Sequence, residues 1–121
     1  NIKFEGHVSH QQVLAELASA AACVLPSIWP EPLSRAALES LSVATPLVLS
    51  KRSGNAEIFK NEHWGYLVSP RVNDLANGII KVLENRKELK ENLIRDRLFI
   101  NRLLSGKVYD NYQKIYRQLL K

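Results

Sequence analysis

Short apolar runs at Cys23–Pro26, Pro46–Ser50 and Gly65–Val68 are separated by stretches long enough to hold a helix, and no other feature constrains the chain so tightly. Strand-like segments joined by connections of that length do not pair as hairpins. They lie parallel, and the connecting helices cover the sheet. A further strand-like run, Ile2–Phe4, stands near the start. The expected fold is α/β: a mostly parallel sheet of about four strands flanked by helices, with a helical C-terminal tail.

The connecting stretches carry helical periodicity. Val13, Leu14, Leu17 and Ala21 recur at helical spacing after His10, and Ser9 is placed to cap them. Beyond the loop Ser27–Glu31, residues Leu33, Ala36, Ala37, Leu41 and Ala44 define one apolar side. The turn from Lys51 leads to a short helical piece at Ala56–Phe59. Asn73 or Asp74 can cap a helix bearing Leu75, Ile79, Val82 and Leu83, and another is expected from about Lys87 to Leu104. A last helix carries Val108, Tyr112, Ile115, Tyr116 and Leu119 along one stripe, read as core packing.

With 121 residues, 45% of them hydrophobic and 24% charged, the chain is sized for one core. No apolar run is long enough to span a bilayer and the start lacks a secretory pattern, so a soluble, cytoplasmic protein is expected. The single cysteine, Cys23, excludes an internal disulfide framework and a cysteine metal site, and it is read as a buried spectator. The three histidines are scattered, and no metal is expected. His10 and His63 are read as exposed and inert. No G-x-S-x-G elbow supports serine hydrolase chemistry. The formal net charge of +5 favours anionic partners without choosing among them. Its basic C-terminal helices would also suit a peripheral place at the cytoplasmic membrane face.

Open parallel sheets bind ligands beyond the carboxyl ends of their strands, which here points to Glu5–Ser9, Ser27–Glu31 and Lys51–Asn55. The second loop leads into an acidic pair, Glu31 and Glu39. If the intervening residues are helical, their carboxylates lie roughly 12 Å apart along the axis. That is about the distance from the ribose to the sugar ring of a nucleotide diphosphate sugar. Pro32 suits the first helical position, and the amides of Leu33, Ser34 and Arg35 would then open toward a diphosphate. Carboxylates accept hydrogen bonds from vicinal sugar hydroxyls, and the helix N-terminus offsets their charge beside phosphate.

The order of motifs adds to this. "VLPSIWPEPLSRAALES", "ATPLVLS", "SGNAEIF" and "GYLVSP" follow one another at intervals that resemble the retaining GT-B glycosyltransferases of family 4 (group 1), over nearly the whole chain. The resemblance implies a Rossmann-like, nucleotide-sugar-binding domain of a two-domain enzyme. Residues 1–121 would be the later part of its C-terminal domain, with the acceptor domain absent from this chain.

Carried over by position, the resemblance implies that Glu31 contacts hydroxyls of the donor sugar at the reacting end and that Glu39 takes the ribose hydroxyls. The backbone of Pro32, Leu33, Ser34 and Arg35 would face sugar and diphosphate. His7 and Val8 would lie against the nucleobase, and Gly54, Asn55 and Glu57 would border the pocket. The partners implied are a nucleotide-sugar donor, a glycan or lipid-linked glycan acceptor and the N-terminal domain; nucleic acid is not. No cofactor is implied, because protein cations would stabilise the departing nucleoside diphosphate, and an Arg and a Lys that do so in the family lie upstream of anything present here. The fragment alone would then be inactive. Two departures are mild: Ala44 replaces a glycine before "T-P", and Ser53 replaces the first glycine of the paired-glycine turn. The competing reading is a non-enzymatic anion-binding or interaction module that touches nucleic acid or acidic membrane through the basic helices.

Overall fold

The computed structural model describes residues 1–104 and 107–120. Its strands are β1 (Cys23–Leu25), β2 (Leu47–Ser50) and β3 (Gly65–Val68). Its α-helices are α1 (His10–Ser19), α2 (Arg35–Ser42), α3 (Val72–Glu84), α4 (Arg86–Arg95), α5 (Arg97–Leu104) and α6 (Lys107–Leu119). The strands form one parallel sheet in the order β1-β2-β3, with Val24 opposite Val48 and Val48 opposite Tyr66. This is the Rossmann-like α/β arrangement expected.

Alternation along the strands sorts the core into two layers. Leu47 and Leu49 join Cys23, Leu25 and Leu67 on one face, covered by Ala37 and Leu41 of α2, Leu93 of α4 and Ile100 of α5. Val48, Val24, Tyr66 and Val68 form the other face, covered by Leu75, Ile79 and Val82 of α3 and by Leu89 of α4. All of β2 is buried, and Leu47 and Leu49 each contribute about 1.5–3 kcal/mol by leaving water. The closeness of α3 depends on Gly78, where a Cβ would stand 2.8 Å from Val68 Cγ1 and 3.0 Å from Val48 Cγ1. Helix α1 packs on α2 and starts at a capping box between Ser9 and Gln12. The Thr45 hydroxyl, donating to the Leu17 carbonyl at 2.6 Å, ties its far end to the β2 approach.

Several expectations need correction. The strand expected at Ile2–Phe4 does not form; Ile2 and Phe4 are 88% and 93% exposed and have no ladder partner among the described residues. Strand propensity without a neighbour to pair with does not hold a strand. Helix α2 begins at Arg35 with Ser34 as its N-cap, so Pro32 and Leu33 precede it. The short helical piece is a 3-10 turn at Gly54–Glu57, capped by Ser53. Helix α3 starts at Val72, ahead of both candidate caps, with no side-chain cap bond. The helix expected across Lys87–Leu104 is broken at Asp96. The α6 stripe is not core: Tyr112, Ile115, Tyr116 and Leu119 are exposed, and Val108 lies outside the described side chains. No helix among the described residues is long and apolar enough to cross a membrane.

Asp96 explains its own break. Its Oδ2 accepts from Lys60 Nζ at 2.8 Å and from the fully buried Trp64 indole Nε1 at 2.9 Å, with His63 Nε2 at 3.3 Å. The resulting bend swings α5 back so that Phe99 stacks near Trp64, centroids 5.9 Å apart. His63, expected to be inert, is therefore part of a structural cluster. Cys23, in β1, is half-buried, and burial pushes its thiol up, away from the reactive thiolate.

Candidate functional site

The loops after β1 and β2 are stitched together by backbone hydrogen bonds. The Glu31 amide donates to the Arg52 carbonyl at 3.3 Å, and the Gly54 amide donates to the Glu31 carbonyl at 2.7 Å. Together they make a parallel bridge between Glu31 and Ser53. Only glycine fits at Gly54, because a Cβ there would stand 1.8 Å from the Pro32 carbonyl oxygen. Ser53 has ordinary extended geometry (φ −76°), so this departure from a paired-glycine turn needs no positive φ. Instead its hydroxyl caps the 3-10 turn and donates to Asn55 Oδ1 at 3.0 Å.

Asn55 is the second staple. It is 1% exposed; its Oδ1 also accepts from the Ser34 amide at 2.5 Å, and its Nδ2 donates to the Ser34 carbonyl at 3.4 Å. Gly54 and Asn55, expected to border a pocket, fix the loop that carries Glu31. The Ser34 amide is consumed in doing so. Ser34 Oγ accepts from the Ala37 amide at 3.4 Å, which leaves the Leu33, Arg35 and Ala36 amides without an acceptor among the described hydrogen bonds. The amides open to an anion therefore differ from the expected trio of Leu33, Ser34 and Arg35, because the helix starts later than the proline suggests. For the same reason the helical ruler between Glu31 and Glu39 holds only from Arg35 onward.

Glu39 lies just past the first turn of α2, with its side chain 20% exposed. Its Oε1 stands 3.8 Å from Arg35 Nη2 and 3.7 Å from His10 Nδ1, and the three residues line a cleft of about 280 Å³ with Leu14, Leu38, Ser42 and Leu104. His10 is exposed, as expected, and its place beside Glu39 is a contact that the sequence reading did not include. His7 is exposed and Val8 half-buried in that loop, and Glu57 is exposed on the 3-10 turn. Ile28, Trp29 and Leu33 around Glu31 are 61%, 72% and 52% exposed, so the loop offers apolar surface beside its carboxylate. No group of histidine, cysteine and carboxylate side chains among the described residues is arranged to hold a metal.

The chain is thus a parallel α/β domain with an acidic loop stapled at the carboxyl ends of its strands, and comparison with known proteins narrows that class to a family. Residues 1–97 match the family model described as glycosyl transferases group 1, and the chain belongs to that family. It is 40% identical over 84 residues to a glycogen synthase of Mycobacterium tuberculosis, covering 69% of this chain and 20% of that protein. It is 35% identical over 85 residues to an uncharacterized glycosyltransferase of Methanocaldococcus jannaschii, covering 69% of this chain and 22% of that protein. Sucrose-phosphate synthase from Thermosynechococcus elongatus superposes with a TM-score of 0.84 at 28% identity, covering 98% of this chain and 30% of its own. The chain thus spans about a fifth to a third of the length of these relatives.

Proposed function

We propose that this chain holds a nucleotide diphosphate sugar as the later part of the donor-binding domain of a retaining, GT-B glycosyltransferase of the family 4 type. The observation that carries the reading is the double staple, Gly54 to Glu31 and Asn55 to Ser34, which presents the Glu31 loop beside the open first-turn amides of α2. In this reading Glu31 accepts from hydroxyls of the donor sugar. The Leu33, Arg35 and Ala36 amides and the positive end of α2 favour the diphosphate. Glu39, in its cleft, accepts from the ribose hydroxyls. His7 and Val8 lie toward the base, and Pro32 and Glu57 border the sugar.

The chain's own contribution to chemistry is placement. It would hold the anomeric carbon in a fixed orientation and supply preorganised amides where charge develops on the leaving diphosphate. The remaining cations and the acceptor site, for a glycan or lipid-linked glycan, are assigned to sequence outside this chain. The stabilising charges are assigned to protein side chains, with no metal or cofactor.

Calorimetric titration with UDP, GDP and ADP sugars tests the reading. One base class is expected to bind in the millimolar range, and Glu39→Ala should weaken it by roughly ten-fold through loss of a charge-assisted hydrogen bond. No binding by any of the three at millimolar ligand contradicts it.

A further inference from the structure

A second concave surface lies at the same end of the sheet, and Glu39 does not line it. Ile28 from the loop after β1, Lys51 and Arg52 from the loop after β2, and Ser69, Pro70 and Arg71 from the loop after β3 border an open cleft of about 530 Å³. Each strand of the sheet contributes to it. No carboxylate lines the cleft, and Lys51, Arg52 and Arg71 form no ion pair among the described residues. The nearby acidic residue of α3, Asp74, lines a neighbouring cleft with Lys51 and Lys81 instead.

Backbone bonds set where these cations are rooted. The Lys51 amide donates to the Val68 carbonyl at 2.9 Å, tying the loops after β2 and β3 together. The Arg52 amide donates to Ser50 Oγ at 3.2 Å, while its carbonyl accepts from Glu31. The Arg71 amide donates to the Ser69 carbonyl at 2.8 Å, just ahead of α3, whose first turn has no side-chain cap. Lys51 is shared with the neighbouring cleft, which Glu62 and Asp74 also line, whereas Arg52 and Arg71 line this one with no carboxylate, and a polyvalent anion offsets their accumulated positive charge. Two guanidinium groups suit phosphate in particular, because each can present paired N–H donors to two oxygens.

We propose that this cleft is an anion subsite that takes a phosphoryl group of a small phosphorylated ligand. Two sources share that chemistry: the diphosphate of a nucleotide-linked donor and the phosphate of a phosphorylated sugar acting as acceptor. The subsite stands on its own residues and does not require a donor at Glu39. Because Arg52 is bonded through its backbone to Glu31, an occupant lies next to the loop assigned to the donor sugar.

Titration of the chain with inorganic pyrophosphate at constant ionic strength, followed by amide NMR shifts, tests the subsite. Saturable shifts are expected at Lys51, Arg52, Ser69 and Arg71, with Arg52→Gln and Arg71→Gln each weakening binding by roughly ten-fold while the rest of the spectrum stays unchanged. A hexose 6-phosphate that moves only these amides identifies an acceptor phosphate; a nucleoside diphosphate that moves them together with Glu39 identifies the donor diphosphate. Both results support the subsite. Shifts that never saturate, that spread evenly over all basic residues, or that survive both substitutions overturn it. If nucleotide sugars move Ser34 and Glu39 while pyrophosphate leaves the cleft silent, the subsite falls and the donor reading stands. The opposite pattern keeps the subsite and removes the donor reading.

Discussion

Asn55 is the residue on which most of the site geometry rests. Its side chain is buried and holds both the amide and the carbonyl of Ser34. Replacing it with alanine strands those groups in a part-buried position, at a cost of about 1–3 kcal/mol, which urea denaturation would measure. Donor affinity should fall as well, through the loop that the buried side chain holds. Gly54→Ala acts on the same loop by a different route, since the new methyl would overlap the Pro32 carbonyl. Ala44 gives a prediction of opposite sign. It occupies the left-handed region after α2, φ 58°, at the position where the sequence resemblance implies a glycine. The left-handed conformation costs an alanine about 1–2 kcal/mol, and glycine's extra freedom in the unfolded chain returns part of that difference. Ala44→Gly should therefore raise stability by about 0.5–1 kcal/mol in thermal or urea unfolding. The sequence marked Ala44 and Ser53 as departures of the same kind. Only backbone angles separate them, because Ser53 is extended and Ala44 is left-handed.

At the scale of elements, strands with two neighbours or a buried face were legible from apolar runs alone, as β1, β2 and β3 show. Ile2–Phe4 carried the same signal and failed: it stays exposed and pairs with neither free edge of the sheet, and propensity without burial does not hold a strand. Helix boundaries were legible where a cap acts locally, as at Ser9, and illegible where a distant residue intervenes. Asn55, twenty-one positions away from Ser34, holds the Ser34 backbone where α2 begins, and Asp96 breaks a helical pattern because Lys60 and Trp64 reach it from another segment. The Asp96 cluster makes a testable pH dependence. The Lys60 ammonium holds the Asp96 carboxyl below the usual carboxylate range, with burial opposing it and Trp64 and His63 reinforcing it. Because the folded value is lowered, the stability it supplies is fully present above the unfolded value of about 3.9 and is lost as pH falls through the folded one. Denaturant midpoints measured across that acidic window should decline, and Asp96→Asn should flatten this part of the decline. Asp96→Ala should cost about 1–3 kcal/mol at neutral pH, since the buried Trp64 N–H then has no acceptor.

For the whole molecule, the family and the fold agree: residues 1–97 match the glycosyl transferases group 1 model, and one parallel sheet brings the loops after its strands to the same edge. The motif order was legible because each motif is local. The cleft of Lys51, Arg52 and Arg71 was not, since its cations come from separate loops that only the sheet brings together. His10 and Glu39 meet because α1 packs on α2, a contact between helices that local spacing does not show. The central claim is that a sugar nucleotide lies between the Glu31 loop and Glu39, and residue-resolved amide shifts on titration with UDP, GDP and ADP sugars test it most directly. The account predicts saturable shifts at Leu33, Ser34, Arg35 and Glu39 with at least one of them, reduced in Asn55→Ala. Unchanged amides along Glu31–Glu39 at millimolar concentrations of all three would contradict it.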